Sequence, residues 1–408
     1  MICYRAAWVL PIGAPPLRDG WVVVDGGRVV KCGSGDPRRL GHDSADEHGE
    51  QIGHIVEHDL GDAAILPGLV NAHTHLELSY LRGEVPPGST FVEWIRSVMA
   101  ARSRGSDPAA PEILEAIQSA IDESLASGTA LVGDISNSLV TVDLLTRSPL
   151  AALVFYELIR FNAPDPDALV RQALDRLGAL ALDDRVRASL AAHAPYSVGP
   201  GMLRGIRAGV ERGALGACSV HLSESTEEVE FILTGTGPWR ALLEGVGSWD
   251  PAWVAPGVTP VEYLDQAGFL GPMVLAVHGV QMVASDLERL GSHGATLVTC
   301  PRSNGYTGAG VPPIEEFYRS GVRVAVGTDS LASTADLNVF AELAAMRQLA
   351  PLVPASALLD SATRQGARAL GFGGEYGVIE RGSRARLDRK STRLNSSHIQ
   401  KSRMPSSA

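Results

Sequence analysis

From residue 64 onward the chain alternates short apolar runs with amphipathic stretches of helical period, and this rhythm limits the fold more than any other feature. Eight runs read as strands: AAILPGLVNAHTH, ALVGDIS, AALVFYELIRF, VRASLAAHAPYS, ACSVHLSES, MVLAVHGV, ATLVTCPRSN and VRVAVGTDS. Between them lie helical segments such as PEILEAIQSAIDESLASG, PDALVRQALDRLGAL and DLERLGSHG. Repeated βα units predict a (β/α)8 TIM-type barrel, in which polar residues at the strand C-terminal ends gather around one mouth. A doubly wound open sheet is the alternative, but no GxGxxG follows the first strand.

The flanks read differently. Residues 1–63 hold WVLPIG and WVVVDGGRVVKCG, short strands with a DGG hairpin signal, and predict the N-terminal part of a small β-sandwich satellite. His42, His48, His54 and His58 fall irregularly in a polar stretch of this region, which suits a solvated loop better than a metal site. The barrel is expected over 64–372. Residues 373–387, with GEYGVIERGSRARL, read as the start of a strand returning to the satellite. The last segment, 388–408, is Ser-rich, aperiodic and holds two of the three lysines in the chain. It resembles translated adapter sequence and is read as a non-native tail that cuts the satellite short.

Charge and cysteine usage narrow the partners. A net charge of -11 with no basic stripe argues against nucleic acid. Cys3, Cys32, Cys218 and Cys300 stand far apart with no CxxC pair, so a reducing cytoplasm is the expected compartment. The N-terminus lacks the pattern of a signal peptide, and no run reaches the ~18 apolar residues of a membrane helix. A small-molecule partner is expected, with a homodimer allowed.

The polar residues that close the strands carry the chemistry. His73 and His75 are two apart, so a strand projects both imidazoles into the same space, close enough to share one ion. His221 and Asp329 each follow an apolar strand start. Together these four offer three nitrogens and a carboxylate, a sound set for Zn²⁺ or Fe²⁺. His193 and His278 recur at two further strand ends, and five such histidines are hard to assign to packing. Glu224, three residues past His221, suits general acid and base work, while Glu227 and Glu228 better fit a helix N-terminus.

LPGLVNAHTHLELS, HAPYS, VHLSES, VHGV and VGTDSLAS stand in the order of the amidohydrolase superfamily. Over residues 1 to 386 the chain resembles its branch of cytosine, guanine and adenosine-type deaminases and triazine hydrolases. The resemblance implies one divalent metal on His73, His75, His221 and Asp329, most simply zinc. Asp329 would also move protons, Glu224 would protonate a ring nitrogen, His278 would orient the attacking oxygen, and His193 would contact substrate. Ser330 beside Asp329 joins the expected substrate contacts. Binuclear relatives bridge their metals with a carboxylated lysine, and no lysine lies between residues 32 and 389, so one metal is expected. The other zinc deaminase design is excluded, because His75-Leu76-Glu77 has no accompanying PCxxC.

HTHLELS followed by FVEWIRSVMAAR further resembles aminodeoxyfutalosine deaminases of the alternative menaquinone pathway. That likeness implies hydrolytic deamination of a purine-like ring. A chlorohydrolase of triazines or an imidazolonepropionase-like cyclic amidohydrolase is the alternative. Trp94, with Phe91, lines the pocket or forms a helix's core stripe. Arg160 and Arg302 meet a substrate carboxylate or make structural ion pairs.

Overall fold

The computed structural model describes residues 1–36, 55–103 and 107–391. The first five strands are β1 (Ile2–Val9), β2 (Leu17–Asp25), β3 (Arg28–Ser34), β4 (Val56–Asp59) and β5 (Ala63–Pro67). Eight more follow: β6 (Leu69–Thr74), β7 (Thr129–Ser136), β8 (Ala151–Leu158), β9 (Val186–Ala192), β10 (Cys218–Leu222), β11 (Val274–His278), β12 (Thr296–Thr299) and β13 (Arg323–Val326). These eight make one parallel sheet in sequence order, each of the expected runs supplying one strand. The expected helices appear as Pro111–Ala126, Pro166–Gly178 and Ala284–Ser292.

Hydrogen bonds between the first and last of these strands bring the barrel together. The N–H groups of Thr328 and Asp329 both donate to the carbonyl oxygen of His73 at 3.1 Å. Asn71 reinforces the seam, giving its amide N–H to Thr328 Oγ1 (2.7 Å) and accepting from Thr328 N (3.0 Å). Along β8 the period of two is clean. Ala151, Leu153 and Phe155 pack in one cluster, and Ala152 and Val154 in another. Both faces are apolar because a barrel strand is covered by neighbouring strands inside and helices outside.

The satellite is a six-stranded mixed sheet in which a last strand, β14 (Leu387–Ser391), completes the order β14-β5-β1-β2-β3, with β4 also on β1. Gly26 and Gly27, both at positive φ (52° and 74°), turn the DGG hairpin between β2 and β3, a conformation side chains resist. Three details depart from expectation. AAILPGLVNAHTH is two strands in two sheets, split at Gly68, where a Cβ would lie 2.4 Å from Ala130 Cβ. His58 belongs to β4 and stacks on Tyr4 at 5.7 Å, whereas His42, His48 and His54 lie outside the described residues. The returning strand, β14 (Leu387–Ser391), runs past the boundary drawn at 387 and pairs antiparallel with β5. Residues 392–408 lie outside the described residues. Among the described residues no helix is long and apolar enough to cross a membrane.

Gly327 lies where the two ends of the barrel meet. A Cβ there would approach His73 Cβ to 2.7 Å and His73 O to 2.8 Å. Gly327→Ala should therefore cost ~1–3 kcal/mol through overpacking, read as a lower urea midpoint. An unchanged midpoint would show that the seam has slack.

Candidate metal centre

The first ligand pair depends on a bulge. Val70 and Asn71 pair with Leu131 and Val132, but Thr74 pairs with Asp134, so β6 spends three steps against two on β7. The extra residue exchanges faces, and His73 and His75 join the side on which Val70 and Ala72 lie further down. His278 and Asp329 both adopt positive φ (79° and 61°), as does Ser223 (51°) before Glu224. Such conformations cost roughly 1–3 kcal/mol each and persist only where the surrounding structure fixes them.

The result is a compact cluster. The His73 ring lies 4.9 Å from His75, 5.0 Å from His221 and 5.6 Å from His278, centroid to centroid. Asp329 Oδ1 is 3.4 Å from His75 Nε2 and 3.8 Å from His73 Nε2. His73, His75 and Asp329 bring their ligand atoms within 4.8 Å of one another, and so do His73, His221 and His278. Neither ring nitrogen of His73 has a hydrogen-bond partner, although the residue is fully buried. Two orphaned nitrogens at such a position are costly unless an ion takes a lone pair, so the donor set fits a divalent metal.

Hydrogen bonds sort the imidazoles by role. His221 Nδ1 contacts the carbonyl oxygen of His193 at 2.8 Å, so it carries the proton and leaves Nε2 free to ligate. For His278 the order is reversed: Asn304 Nδ2 donates to Nδ1 at 3.0 Å, which puts the ring proton on Nε2. That Nε2 is 3.5 Å from Glu224 Oε1. His278 thereby presents an N–H donor to the cluster. Ser303 Oγ donates to Asp329 Oδ2 at 2.5 Å and fixes the carboxylate. Ser330 is buried beside it, near Ser333.

Burial sets the charge states. It drives the pKa values of His73, His75 and His278 well below the ordinary range, with neighbouring imidazoles adding to the effect. His193 falls to about 4, through burial and the nearby Arg102 guanidinium. The imidazoles are neutral, so their contacts with Asp329 and Glu224 are not ion pairs. Glu224 is pushed well above the usual carboxylate range by burial, then by Asp329. Both influences favour its protonated form. Glu228 has the structural role: it accepts N–H bonds from Ser223 (2.9 Å) and Glu224 (2.8 Å), while Ser225 caps the helix Thr226–Thr234.

Other expected contacts are arranged less simply. His193 is held by Ser197 Oγ at 2.5 Å and lies 5.7 Å from the Tyr196 ring. Tyr196 stacks on Trp239 at 3.7 Å, and Trp239 meets Phe91. Trp94 belongs to the buried stripe of the helix Phe91–Arg102. Arg302 is not brought to the cluster, because Glu342 (2.6 Å) and Asp336 (2.9 Å) hold its guanidinium. Arg160 is exposed past the end of β8.

Several neighbours escaped the sequence reading. Glu157 at the end of β8 is buried; its Oε2 accepts from Asn137 Nδ2 at 2.8 Å, while its Oε1, 3.6 Å from His221 Nδ1, has no hydrogen-bond partner. Its signal was present, a polar group behind the apolar AALVFY, the same pattern that marks His221. Asn304 and Ser303 carried none, since they act through side chains from other strands.

Residues 64–387 match the model of the family described as Amidohydrolase family. The chain is similar to the aminodeoxyfutalosine deaminase of Deinococcus radiodurans, 32% identical over 371 residues, covering 86% of this chain and 81% of the relative. In three dimensions it is similar to the Helicobacter pylori aminofutalosine deaminase in complex with methylthio-coformycin, with a TM-score of 0.81, 28% identity, and coverage of 96% of this chain and 93% of that one. An adenosine deaminase from Xanthomonas campestris with bound zinc superposes with a TM-score of 0.77 at 26% identity, covering 96% and 84%. Similarity of this extent makes the relationship plain: the chain belongs to the amidohydrolase family, and its chemistry is hydrolysis at carbon–nitrogen bonds.

Proposed function

We propose that this chain is a mononuclear metal-dependent deaminase that removes an amino group from a purine-like ring, with aminodeoxyfutalosine as the best single substrate. The observation that carries the reading is the pairing of a clustered His/Asp set, with both His73 nitrogens orphaned, and a buried carboxyl, Glu224, 3.5 Å from His278 Nε2. His73, His75, His221 and Asp329 would hold the ion, zinc being favoured by three nitrogens and one carboxylate. Bound there, a divalent metal supplies Lewis acidity and lowers the pKa of a coordinated water.

The chain's own residues account for the remaining steps. Asp329 accepts a proton from the attacking water. Glu224 gives its proton to the ring nitrogen next to the reacting carbon. His278, with its proton on Nε2, donates to the oxygen of the adduct. Asp329 returns its proton to the amino group and Glu224 takes back the proton of the adduct hydroxyl, so ammonia leaves and ring–NH2 and water become ring carbonyl and ammonia. His193, Ser330 and Trp94 are proposed to line the substrate side, with Arg160 at the rim. Resemblance to the Deinococcus radiodurans relative supports the choice of substrate.

Elemental analysis of active protein should give about one Zn²⁺ or Fe²⁺ per chain, and a chelator should abolish turnover reversibly. A stoichiometry near two, with both ions needed, would sink the mononuclear assignment.

Glu224→Gln keeps the shape but cannot donate and accept in turn, and should lower kcat by ~10²–10⁴ with metal content intact. Turnover within a few-fold of the parent would remove Glu224 from the mechanism. Ammonia release across aminodeoxyfutalosine, adenosine, guanine and cytosine checks the substrate. Hydrolysis without ammonia, with chloride released or a ring opened, would assign a different leaving group.

A further inference from the structure

One acid of β7 stands where packing alone would place a hydrocarbon. Leu131 and Ile135 pack with Val70 and Ala72, so by the strand period Val132 and Asp134 share the opposite face. There Val132 meets Ile113, Ile117 and Ile121 of the helix Pro111–Ala126. Asp134 is therefore in the layer between strand and helix, and it is fully buried. Burial pushes its pKa up to about 7. A valine would fill this place without that cost.

The carboxyl has one firm partner. Its Oδ1 accepts from Leu76 N at 2.9 Å, while Oδ2 and the nearby Thr141 Oγ1 have no hydrogen-bond partner among the described residues. The Leu76 N–H is the first of the short helix Leu76–Leu81, whose preceding residue, His75, makes no side-chain cap. A helix start usually takes its acceptor from the side chain at that preceding position. The His75 imidazole is turned instead to the cluster, with Nε2 3.4 Å from Asp329 Oδ1. A ring aimed at an ion cannot also satisfy the helix behind it, so the neighbouring strand supplies the acceptor. The bulge in β6 makes this possible, because it sets Thr74 opposite Asp134.

The proposed ligands are braced in different ways. His221 is held through its ring, by the His193 carbonyl at 2.8 Å, and Asp329 through its carboxylate, by Ser303 Oγ. His75 is held through the backbone around it. Thr74 Oγ1 donates to the Asp329 carbonyl at 3.0 Å, Leu78 N to the His75 carbonyl at 3.1 Å, and Leu76 N to Asp134. His75 has φ −122° and ψ 82°, outside the helical well. Its ψ is set by where Leu76 N is anchored, so the bond to Asp134 fixes the direction in which the imidazole leaves the chain.

We infer that Asp134 is a positioning residue, which aims the His75 imidazole by taking over the helix cap that His75 does not provide. The inference rests on the ligand set proposed above. It adds a brace behind that set, with no new ligand and no new chemical step.

The test reads metal binding directly. Apoprotein is titrated with Co²⁺, whose visible absorption reports coordination geometry, and Kd for Zn²⁺ is taken by competition with a chromophoric chelator. Asp134→Ala removes the acceptor and should weaken Zn²⁺ by ~10- to 100-fold, the usual loss for a partner behind a metal ligand, with an altered Co²⁺ spectrum. Asp134→Asn keeps an oxygen for Leu76 N and should stay within a few-fold of the parent, with its spectrum. Thr141→Val changes the same buried spot without touching the Leu76 bond and should do likewise. Should Asp134→Ala fail to fold, Asp134→Val fills the space without an acceptor and carries the comparison. A lower urea midpoint with unchanged Zn²⁺ affinity and spectrum would make Asp134 merely structural and overturn the assignment, as would equal losses in the Asn and Ala variants. A parent that binds neither metal would instead overturn the ligand set. Amide exchange at Leu76 then decides the brace: slow in the parent and Asp134→Asn but fast in Asp134→Ala upholds it, and equal rates in all three overturn it.

Discussion

The carbonyl oxygen of His73 receives the backbone N–H groups of Thr328 and Asp329, and much of the molecule's function depends on that junction. It joins the first barrel strand to the last, and it does so at two residues of the proposed ligand set. Thr74 Oγ1 adds a bond to the Asp329 carbonyl at 3.0 Å, so the seam is tied on both sides of the metal position. Because the backbone contact fixes His73 against Asp329, their side chains need little further ordering to face one ion. Glycine at 327 is what permits so close an approach.

A second constraint is the dryness of the mouth. Burial favours the uncharged form of every titratable group, so it lowers the histidines and raises the carboxyls in the same small volume. The opposite shifts serve different ends. Neutral imidazoles are competent ligands, and a protonated Glu224 is a competent acid. Asp329 is protected from complete neutralisation by hydrogen bonds from Ser303 and Ser333, which favour its anion. Elsewhere in the chain such unsatisfied buried groups would only destabilise.

Much of this was legible in the sequence. Apolar runs followed by polar residues located all eight barrel strands and placed His73, His75, His221, His278 and Asp329 at one mouth, because strand periodicity and parallel βα topology leave a one-dimensional trace. The bulge in β6 left none, since an extra residue changes faces without changing composition. The partition of AAILPGLVNAHTH at Gly68 was hidden for a similar reason: both halves are apolar, and only their different sheets separate them. Residues 388–391 were set aside with the Ser-rich, aperiodic tail, yet their backbone continues the returning strand and pairs with β5.

The separation of the ligands along the chain has a kinetic meaning. Thr74 and its partner Asp329 stand 255 positions apart, so almost the whole barrel must be in place before the carboxylate can reach the HTH motif. A chain that has not docked its last strand offers at most the three imidazoles of the proposed ligand set, without the carboxylate. Full coordination arises only once the last strand has docked. On the proposed ligand set the metal would be a latch on a finished barrel and not a nucleus for a growing one, and a chain interrupted before residue 329 would lack its carboxylate.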